Sequence, residues 1–548
     1  MSKFFDFHLH VVLKNQFATE ENTTSPWEKI TAAMILKHIP FPYDLFMESF
    51  ASDTLASQSS PPQLLDKGYK LVCHALFSPD IELLKSLKSN NKFKKFIEEG
   101  KLAPYLTDEQ FLKIIDKNSS PFQFIKKDLE LIKQVSPDGN SIVLIQKSNE
   151  LDESEKKLSA VFTIEGLHCL RNNMLLDTDQ NITNDILQNL DELRTTAKII
   201  SINLTHIDNN NNIFSSCAYA YDGLKDTLDD KLLRPFGNGL PNTGLAIVEE
   251  IYNRKILVDI KHMSIASRLK FYDEIDKGNI QKHPIICSHG GFTGCWFNSA
   301  THDETYNDYV FSVRKVGNNQ KLLVAKPIKF KGDLIPAAFN ASSINLYNED
   351  IVRILQSDGI IGISMDQRVL GFHNKVSRVA IDNPNELYMF DTEYFSLSDF
   401  QTVQKGGAFG RKVADDTMDF ALTSKEFIAK TPNPVDFGDL HFKHFVMHIL
   451  HAINIAKEFG GEAAVLKLLT AQICIGSDFD GMIDGLDSCK TVEDMPTFKQ
   501  KFIDEFKDYA DDAGVILPNT LTIQQIADRI FYENGRDFIL KRLDILNS

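Results

Sequence analysis

Eight short apolar runs, rich in isoleucine and valine, are spread along the chain between segments of helical periodicity. Continuous apolar runs of this length predict strands that are buried on both faces, as in a parallel sheet. The predicted strands cover residues 3–10, 70–77, 160–166, 199–206, 256–262, 284–290, 360–366 and 473–480. Helical patterns fill several of the gaps, notably 185–196, 246–254 and 442–459, the last of which stops at Gly460-Gly461.

This alternation of strands and helices favours an α/β fold, specifically a (β/α)8 TIM barrel. A minimal barrel of this kind takes about 250 residues, whereas the chain has 548. We therefore predict one domain over residues 1–548 with large insertions at about 11–69, 78–155, 291–350 and 367–445. They follow the first, second, sixth and seventh strands, which places them on the rim where barrel active sites lie.

Seven of the eight runs end at a residue that can ligate a metal ion. In a parallel barrel, the carboxyl ends of the strands meet at one mouth, so these side chains are expected to converge there. Residues i and i+2 of a strand point to the same side, so His8 and His10 can face one ion. The chain-order series of strand-end residues is His8 and His10, Glu165, His206, His262, His289, Asp366 and Asp478.

The strand-end residues differ in the role that each one could play. Glu165 would be costly to bury without a partner, which a metal pair or a neighbouring Lys or Arg could supply. His206 is either a ligand or a donor to a developing oxyanion. His262 and His289, the latter followed by two glycines, are interpreted as ligands, and Asp478 as a ligand that also accepts a proton.

Together these motifs resemble the renal (membrane) dipeptidase family, peptidase M19, of the amidohydrolase superfamily. The resemblance spans nearly the whole chain and keeps the order of the family's motifs. Its most specific parts are the Glu-Gly-x-His and Gly-x-Asp-Phe-Asp-Gly sequences. The matching segments are His8-x-His10, Glu165-Gly166-x-His168, Leu204-Thr205-His206, His262-Met263-Ser264, Ser288-His289 and Gly476-Ser477-Asp478-Phe479-Asp480-Gly481.

The resemblance implies zinc-dependent hydrolysis of amide bonds in dipeptides or related amino-acid derivatives, with metal-activated hydroxide as nucleophile. It implies two divalent ions, most simply Zn²⁺, bridged by Glu165. One ion would be held by His8, His10 and Asp478, and the other by His262 and His289. The catalytic residues would be His206, which would bind the substrate carbonyl oxygen, and Asp478, which would transfer protons.

Two positions depart from the family pattern. The family has His-x-Asp at the first strand, whereas this chain has His10 in the place of the Asp. The family also has a carboxylate-gripping Arg after the Ser-His strand, and residues 341–349 contain none. Unless an insertion supplies that Arg, we expect ordinary dipeptides to bind weakly; Arg368 is the first candidate for substrate binding, and Arg314 and Arg378 are the others.

A second group of histidines lies on a predicted helix. His441, His444, His448 and His451 share one helical face, which suggests another metal site. Because no carboxylate is interleaved and no His-Glu-x-x-His motif is present, we favour packing and hydrogen bonding for this group.

Composition and net charge limit the classes of partner that this protein is expected to bind. The net charge of −16 argues against nucleic acid and anionic membranes, and no apolar run approaches the ~20 residues of a membrane span. The seven cysteines form no metal or disulfide framework, so we expect reduced thiols. Because a strand begins at about residue 3, we expect no signal peptide and a cytoplasmic location. The expected partner is a small molecule or dipeptide, with a homodimer left open.

Two other functions remain open at this stage. One is an amidohydrolase acting on a non-peptide amide, ester or lactone. The other is a catalytically silent protein whose rim insertions bind a partner.

Overall fold

The computed structural model describes much of the chain, with gaps inside the predicted insertions. The described residues are 2–16, 25–36, 54–80, 120–207, 213–218, 239–297, 310–316, 319–327, 339–340, 343–371, 388–396 and 437–548. Arg378 lies outside them, and for Arg314 only the backbone is described.

Parallel strands form the centre of the fold. Strand bounds are β1 Phe4–Leu9, β2 Tyr69–Leu76, β3 Ser141–Leu144, β4 Lys157–Ile164, β5 Ile199–Asn203, β6 Leu257–Asp259, β7 Cys287–Gly290, β8 Val310–Val316, β9 Asn319–Pro327, β10 Ile361–Ile363, β11 Tyr388–Ser396 and β12 Ile473–Ile475. All eight predicted strands are present, as β1, β2, β4, β5, β6, β7, β10 and β12.

Two parallel sheets contain these eight strands. One has the order β1-β2-β4-β5-β6 with β3 paired to β4, and the other has the order β12-β10-β7. Single parallel bridges connect the two sheets at both ends, from Leu9 to Phe479 and from Asp259 to Ile286. The result is an α/β fold with a curled parallel sheet, as the apolar runs predicted.

Helices follow or flank most of these strands. Their bounds are Leu13–Gln16, Ala32–Leu36, Pro61–Asp66, Pro121–Ile132, Asp179–Arg194, Asn242–Asn253, Ile265–Asp276, Asn348–Gln356, Gln367–Leu370, Phe437–Lys467, Met495–Ala513, Ile523–Asp528 and Asn534–Asn547. The long helix Phe437–Lys467 is interrupted at Gly460 and Gly461, whose backbone angles are not helical. This confirms the helix stop predicted at those glycines.

The core lies on both sides of the curled sheet. The larger cluster fills the space between the strands and the surrounding helices. The smaller cluster takes at least one residue from or beside each of the eight strands and packs them against the C-terminal helix Asn534–Asn547. Each fully buried Leu, Ile, Val or Phe contributes about 1.5–3 kcal/mol to folding, so both clusters hold the strand ends in fixed positions.

Two parts of the fold escaped the sequence analysis. β3 lies within the predicted insertion 78–155 and extends the parallel sheet beside β4. β8, β9 and β11 form an antiparallel sheet from the insertions 291–350 and 367–445. These three strands mix polar and apolar residues, a pattern typical of antiparallel sheets, whereas the prediction searched for continuous apolar runs.

The cysteines agree with the prediction of reduced thiols, since all seven are unpaired and buried. Within the described ranges, no helix combines the length and the apolar character that crossing a bilayer requires.

Candidate metal centre

The predicted ligands all lie at the carboxyl ends of the parallel strands. His8 is in β1 and His10 follows it, Glu165 comes directly after β4, and His289 is in β7. His206, His262, Asp366 and Asp478 lie three residues beyond the ends of β5, β6, β10 and β12. Because parallel strands present their carboxyl ends on one side, their sequence positions place these side chains at a common mouth.

Glu165 is the centre of this arrangement. Five imidazole Nε2 atoms lie within 4 Å of its buried carboxylate. The distances to the nearest Glu165 oxygen are 3.5 Å from His8, 3.4 Å from His10, 3.6 Å from His206, 3.1 Å from His262 and 3.7 Å from His289. A single buried carboxylate with so many imidazole donors around it is suited to being a ligand shared between two cations.

Asp478 approaches the same group from the last parallel strand. Its Oδ1 lies 3.4 Å from His10 Nε2 and 3.7 Å from His8 Nε2, and its Oδ2 lies 3.9 Å from His289 Nε2. The hydrogen bond from the Asp478 amide to the His8 carbonyl, 2.8 Å long, fixes this position against β1.

Two sets of ligand atoms are close enough together to hold one ion each. Within the described part of the chain, the first is His8, His10, Glu165 and Asp478, as the resemblance implied. The second is Glu165, His206 and His262. His206 therefore takes part in the second set geometrically. His289 belongs to neither set and lies against His8, with the ring centroids 3.9 Å apart and the ring planes tilted by 33°.

The side chains of the first set fit a metal ion. His8 Nδ1 and Nε2 and His10 Nδ1 are buried and have no hydrogen-bond partner among the described residues. Burial would lower the pKa of His10, but hydrogen bonds with Asp478 and Glu165 raise it to about 10. A proton on His10 thus balances these carboxylates at neutral pH, and a divalent cation would compete for the same position.

The two other predicted ligands, His262 and His289, have pKa values that are shifted in the opposite direction. Burial, reinforced by the charge of His206, lowers the pKa of His262 to about 3. Burial together with the charge of His8 also holds the pKa of His289 well below its usual range. Neutral imidazoles are the form that ligates metal ions, so both histidines are ready to bind one.

Backbone strain marks the same residues. His262 and Asp478 are not glycines, yet their φ angles are +68° and +66°. Such left-handed conformations cost of order 1–3 kcal/mol and persist where the surroundings impose them, often at functional sites. Gly166, beside Glu165, has a φ of +96°, and a Cβ there would lie 2.5 Å from His168 Nδ1.

His206 is held by a carboxylate that the sequence analysis did not identify. Its Nδ1 lies 2.8 Å from Asp80 Oδ2, and its Nε2 faces Glu165. Burial would lower the pKa of His206, but the charges of Glu165 and Asp80 raise it. The raised pKa favours the protonated ring, whose Nε2–H would suit a donor to an oxyanion.

A simple signal could have found Asp80. It lies four residues beyond the end of β2, on the same rim as the other strand-end residues. The second apolar run, residues 70–77, is the one that does not end at a potential ligand, because its histidine, His74, falls mid-strand. His74 is indeed structural, since its Nδ1 accepts a hydrogen bond from the Val11 amide.

Arg368 lies on the rim, paired with the strand-end carboxylate Asp366. Its Nη2 is 2.6 Å from Asp366 Oδ2 and its Nε is 3.0 Å from Asp366 Oδ1. Nη2 also donates to the Met482 carbonyl at 3.1 Å. Asp366 is therefore bound to a guanidinium, and a substrate carboxylate would have to share Arg368 with it.

The helical histidines form no metal group among the described residues. His444 and His448 both direct Nε2 at the Leu370 carbonyl, 3.0 Å away. His451 Nε2 lies 2.8 Å from Asn348 Oδ1, and His441 Nδ1 accepts from the Asp487 amide. The prediction of packing and hydrogen bonding for this face is confirmed.

Comparison with known proteins gives similar structures but no related sequences. No family model matches the chain, and no curated protein matches it at a significant level. Among solved structures, a metallo peptidase from Rhodobacter sphaeroides, liganded with a phosphinate mimic of the dipeptide L-Ala-D-Ala, matches 99% of this chain and 99% of its own with 12% identity and a TM-score of 0.46.

Two further structures are similar at the same level. The dipeptidase AC, a metallo peptidase of family M19, matches 99% of this chain and 98% of its own, with 11% identity and a TM-score of 0.45. The probable dipeptidase PvdM from Pseudomonas aeruginosa matches 89% of this chain and 90% of its own, with 12% identity and a TM-score of 0.42. Family M19 is also the one that the sequence motifs resemble.

Proposed function

We propose that this protein is a metal-dependent hydrolase that cleaves amide bonds in dipeptides or related small amino-acid derivatives. The observation that carries the proposal is the convergence of five imidazoles and Asp478 on the buried carboxylate of Glu165. Imidazole and carboxylate donors in this number suit two divalent ions, and zinc is the simplest choice for such a ligand set.

The side chains would divide the metal positions as follows. His8, His10 and Asp478 would hold one ion, and His262 and His289 the other, with Glu165 shared by both. His206 is the alternative ligand at the second position, because it belongs to the compact set there. Bound divalent ions supply Lewis-acid polarisation of a carbonyl and a lowered pKa for water.

The protein's own groups would complete the reaction. Water attacks the amide carbon, and Asp478 accepts its proton. His206, held by Asp80, donates Nε2–H to the oxygen as negative charge develops on it. The carbon–nitrogen bond then breaks while Asp478 returns the proton to the leaving amine. The carboxylic acid formed then passes the second proton of the water to the amine, so the products are a carboxylate and an ammonium group, and atoms and charge balance.

We further propose that the chain is a single domain whose eight parallel strands close into a (β/α)8 barrel. The support lies in the two sheet junctions. The Ile260 amide donates to the Ile286 carbonyl at 3.0 Å beside the β6–β7 junction, and the Asp478 amide donates to the His8 carbonyl at 2.8 Å beside the β12–β1 junction. The antiparallel strands β8, β9 and β11 would then be rim insertions.

Arg368 would serve as the anchor for a substrate carboxylate. Guanidinium groups bind carboxylates in a bidentate manner, and Arg368 already binds Asp366 in this way on the rim. Arg368→Ala should raise KM for a carboxylate-bearing substrate and leave a neutral amide or ester unaffected. An equal effect on both substrates would exclude Arg368 as the anchor.

The test of the proposed function combines metal analysis with a hydrolysis screen. Protein purified without chelator should contain about two divalent ions per chain, and dipeptides of both stereochemistries should be cleaved with added zinc. Turnover of non-peptide amides, esters or lactones alone would favour the broader amidohydrolase function. Bound ions without any turnover would favour a silent binding protein, and a metal-free protein would contradict the proposed centre.

A further inference from the structure

A short rim segment is pinned between three strand ends beside the second metal position. We name residues 343–347 the rim bracket; all five are buried. The bracket runs just before the helix Asn348–Gln356 and contacts residues that follow β6, β7 and β10. Its fixation depends on two buried cations and one buried amide side chain.

The two cations come from the β6 side. Lys261, adjacent to His262, directs Nζ at the Ile344 carbonyl, 3.3 Å away. Arg268 donates Nη1 to the next carbonyl, that of Asn345, at 3.0 Å. Both side chains are 2% exposed or less, and burying a cation is costly unless its partners repay it. Because these two groups donate to successive carbonyls, they hold the backbone of the bracket in one position.

The guanidinium of Arg268 belongs to a buried hydrogen-bond network that also includes Asp350, Tyr347 and Tyr272. It pairs with Asp350 Oδ2 at 3.2 Å, and the same oxygen accepts the Tyr347 amide at 2.8 Å. Tyr272 donates its hydroxyl to the other Asp350 oxygen at 2.7 Å. This network fixes the bracket against the helix Ile265–Asp276, which follows His262 in sequence.

The amide side chain is that of Asn345, which joins the ends of β7 and β10. Its Oδ1 accepts the Gly291 amide at 3.0 Å, and its Nδ2 donates to the Val369 carbonyl at 2.7 Å. The Leu346 amide also donates to the Gly291 carbonyl at 3.0 Å. Gly291 lies two residues after His289, and a Cβ there would lie 3.2 Å from Asn345 Oδ1.

Among the described residues, Lys261 and Asn345 make no hydrogen bond to a residue beside the first metal position. His8 and His10 lie at β1 and Asp478 follows β12, and these residues are supported by hydrogen bonds between those two strands. Lys261 and Asn345 thus connect the bracket to the residues next to His262 and His289. His262 in particular needs support, because its left-handed backbone is strained.

We infer that the rim bracket positions His262 and His289 and thereby determines the affinity of the second metal position. This inference rests on the proposed binuclear centre. Lys261 and Asn345 act as positioning residues, since they reach the ion only through neighbouring ligands. Groups that orient metal ligands typically change metal affinity 10–100-fold when they are removed.

The test uses two variants with matched controls. Lys261→Met and Asn345→Ala break the bracket, whereas Lys499→Met and Asn189→Ala remove a buried lysine and a buried asparagine elsewhere in the fold. Metal-free full-length protein is titrated with Zn²⁺ by calorimetry, and the ions retained after dialysis are counted. Lys261→Arg, which keeps a cationic donor, should retain the second ion.

The expected result is selective. Both bracket variants should bind the first ion as the wild type does and the second about 10–100-fold more weakly, while the controls bind both normally. The positioning role would be overturned if the bracket variants bound both ions equally weakly. It would also be overturned if they bound the second ion as tightly as the wild type, even with a lowered melting temperature. A wild-type protein that binds fewer than two ions would instead overturn the proposed centre, and the inference with it.

Discussion

This molecule has two clusters of histidines that are similar in size but differ in the groups that surround them. The strand-end histidines surround Glu165, with Asp478 beside them, and several of their nitrogens have no partner within the described part of the chain. The histidines on the helix Phe437–Lys467 face backbone carbonyls, an asparagine oxygen and a backbone amide. The difference shows that the carboxylate at the centre, rather than the number of histidines, distinguishes a metal centre from a structural cluster.

The largest effect is expected from removing that carboxylate's charge. Glu165→Gln keeps the side-chain shape but removes the charge that both proposed ions share, so both should be lost together. Elemental analysis of the purified variant measures this, with circular dichroism to confirm folding. Retention of one ion at wild-type affinity would show that Glu165 serves a single position.

Asp478→Asn should decrease the rate of the chemical step more than it weakens the binding of metal or substrate. An amide cannot accept the proton of the attacking water, and a general acid–base role is worth roughly 10²–10⁴-fold. The variant should therefore lose turnover by that factor in protein reloaded with metal. Steady-state kinetics on the best substrate from the hydrolysis screen provides the measurement; near wild-type kcat would rule out this role.

Asp80→Asn should have an intermediate effect. The amide oxygen can still accept a hydrogen bond from His206 Nδ1, but it lacks the negative charge that raises the pKa of His206, so the form that donates from Nε2 is disfavoured. We expect about a 10–100-fold decrease in kcat with a smaller change in KM, by analogy with other groups that orient a functional histidine. Asp185→Asn, at a partly buried helical carboxylate away from the centre, is the matched control; an equal decrease in both variants would contradict the positioning of His206.

The smallest effect on metal content is expected on the helix. His441→Gln removes a buried acceptor of the Asp487 amide, which should cost about 1–3 kcal/mol of stability, yet both ions should remain. The same substitution at a strand end, His262→Gln, should release the second ion. Denaturant unfolding and metal analysis of both variants test the contrast, which fails if His441→Gln loses an ion.

Local sequence was sufficient for a large part of this picture. Eight continuous apolar runs predicted the strands, and a polar residue at the end of seven of them predicted the candidate ligands, because period and polarity are local properties of the chain. Gly460 and Gly461 likewise ended a helix, since neither residue favours helical backbone there. The helical histidines were interpreted correctly from the lack of an interleaved carboxylate.

Only the tertiary structure revealed which residues support these ligands. Asp80 meets His206 across 126 positions of sequence, and Lys261 meets Ile344 across 83. Neither pairing follows from periodicity, because a hydrogen bond depends on where two strand ends stand relative to each other. The pairing of Arg368 with Asp366 has a similar origin: two residues close in sequence face each other only because a short helix begins between them.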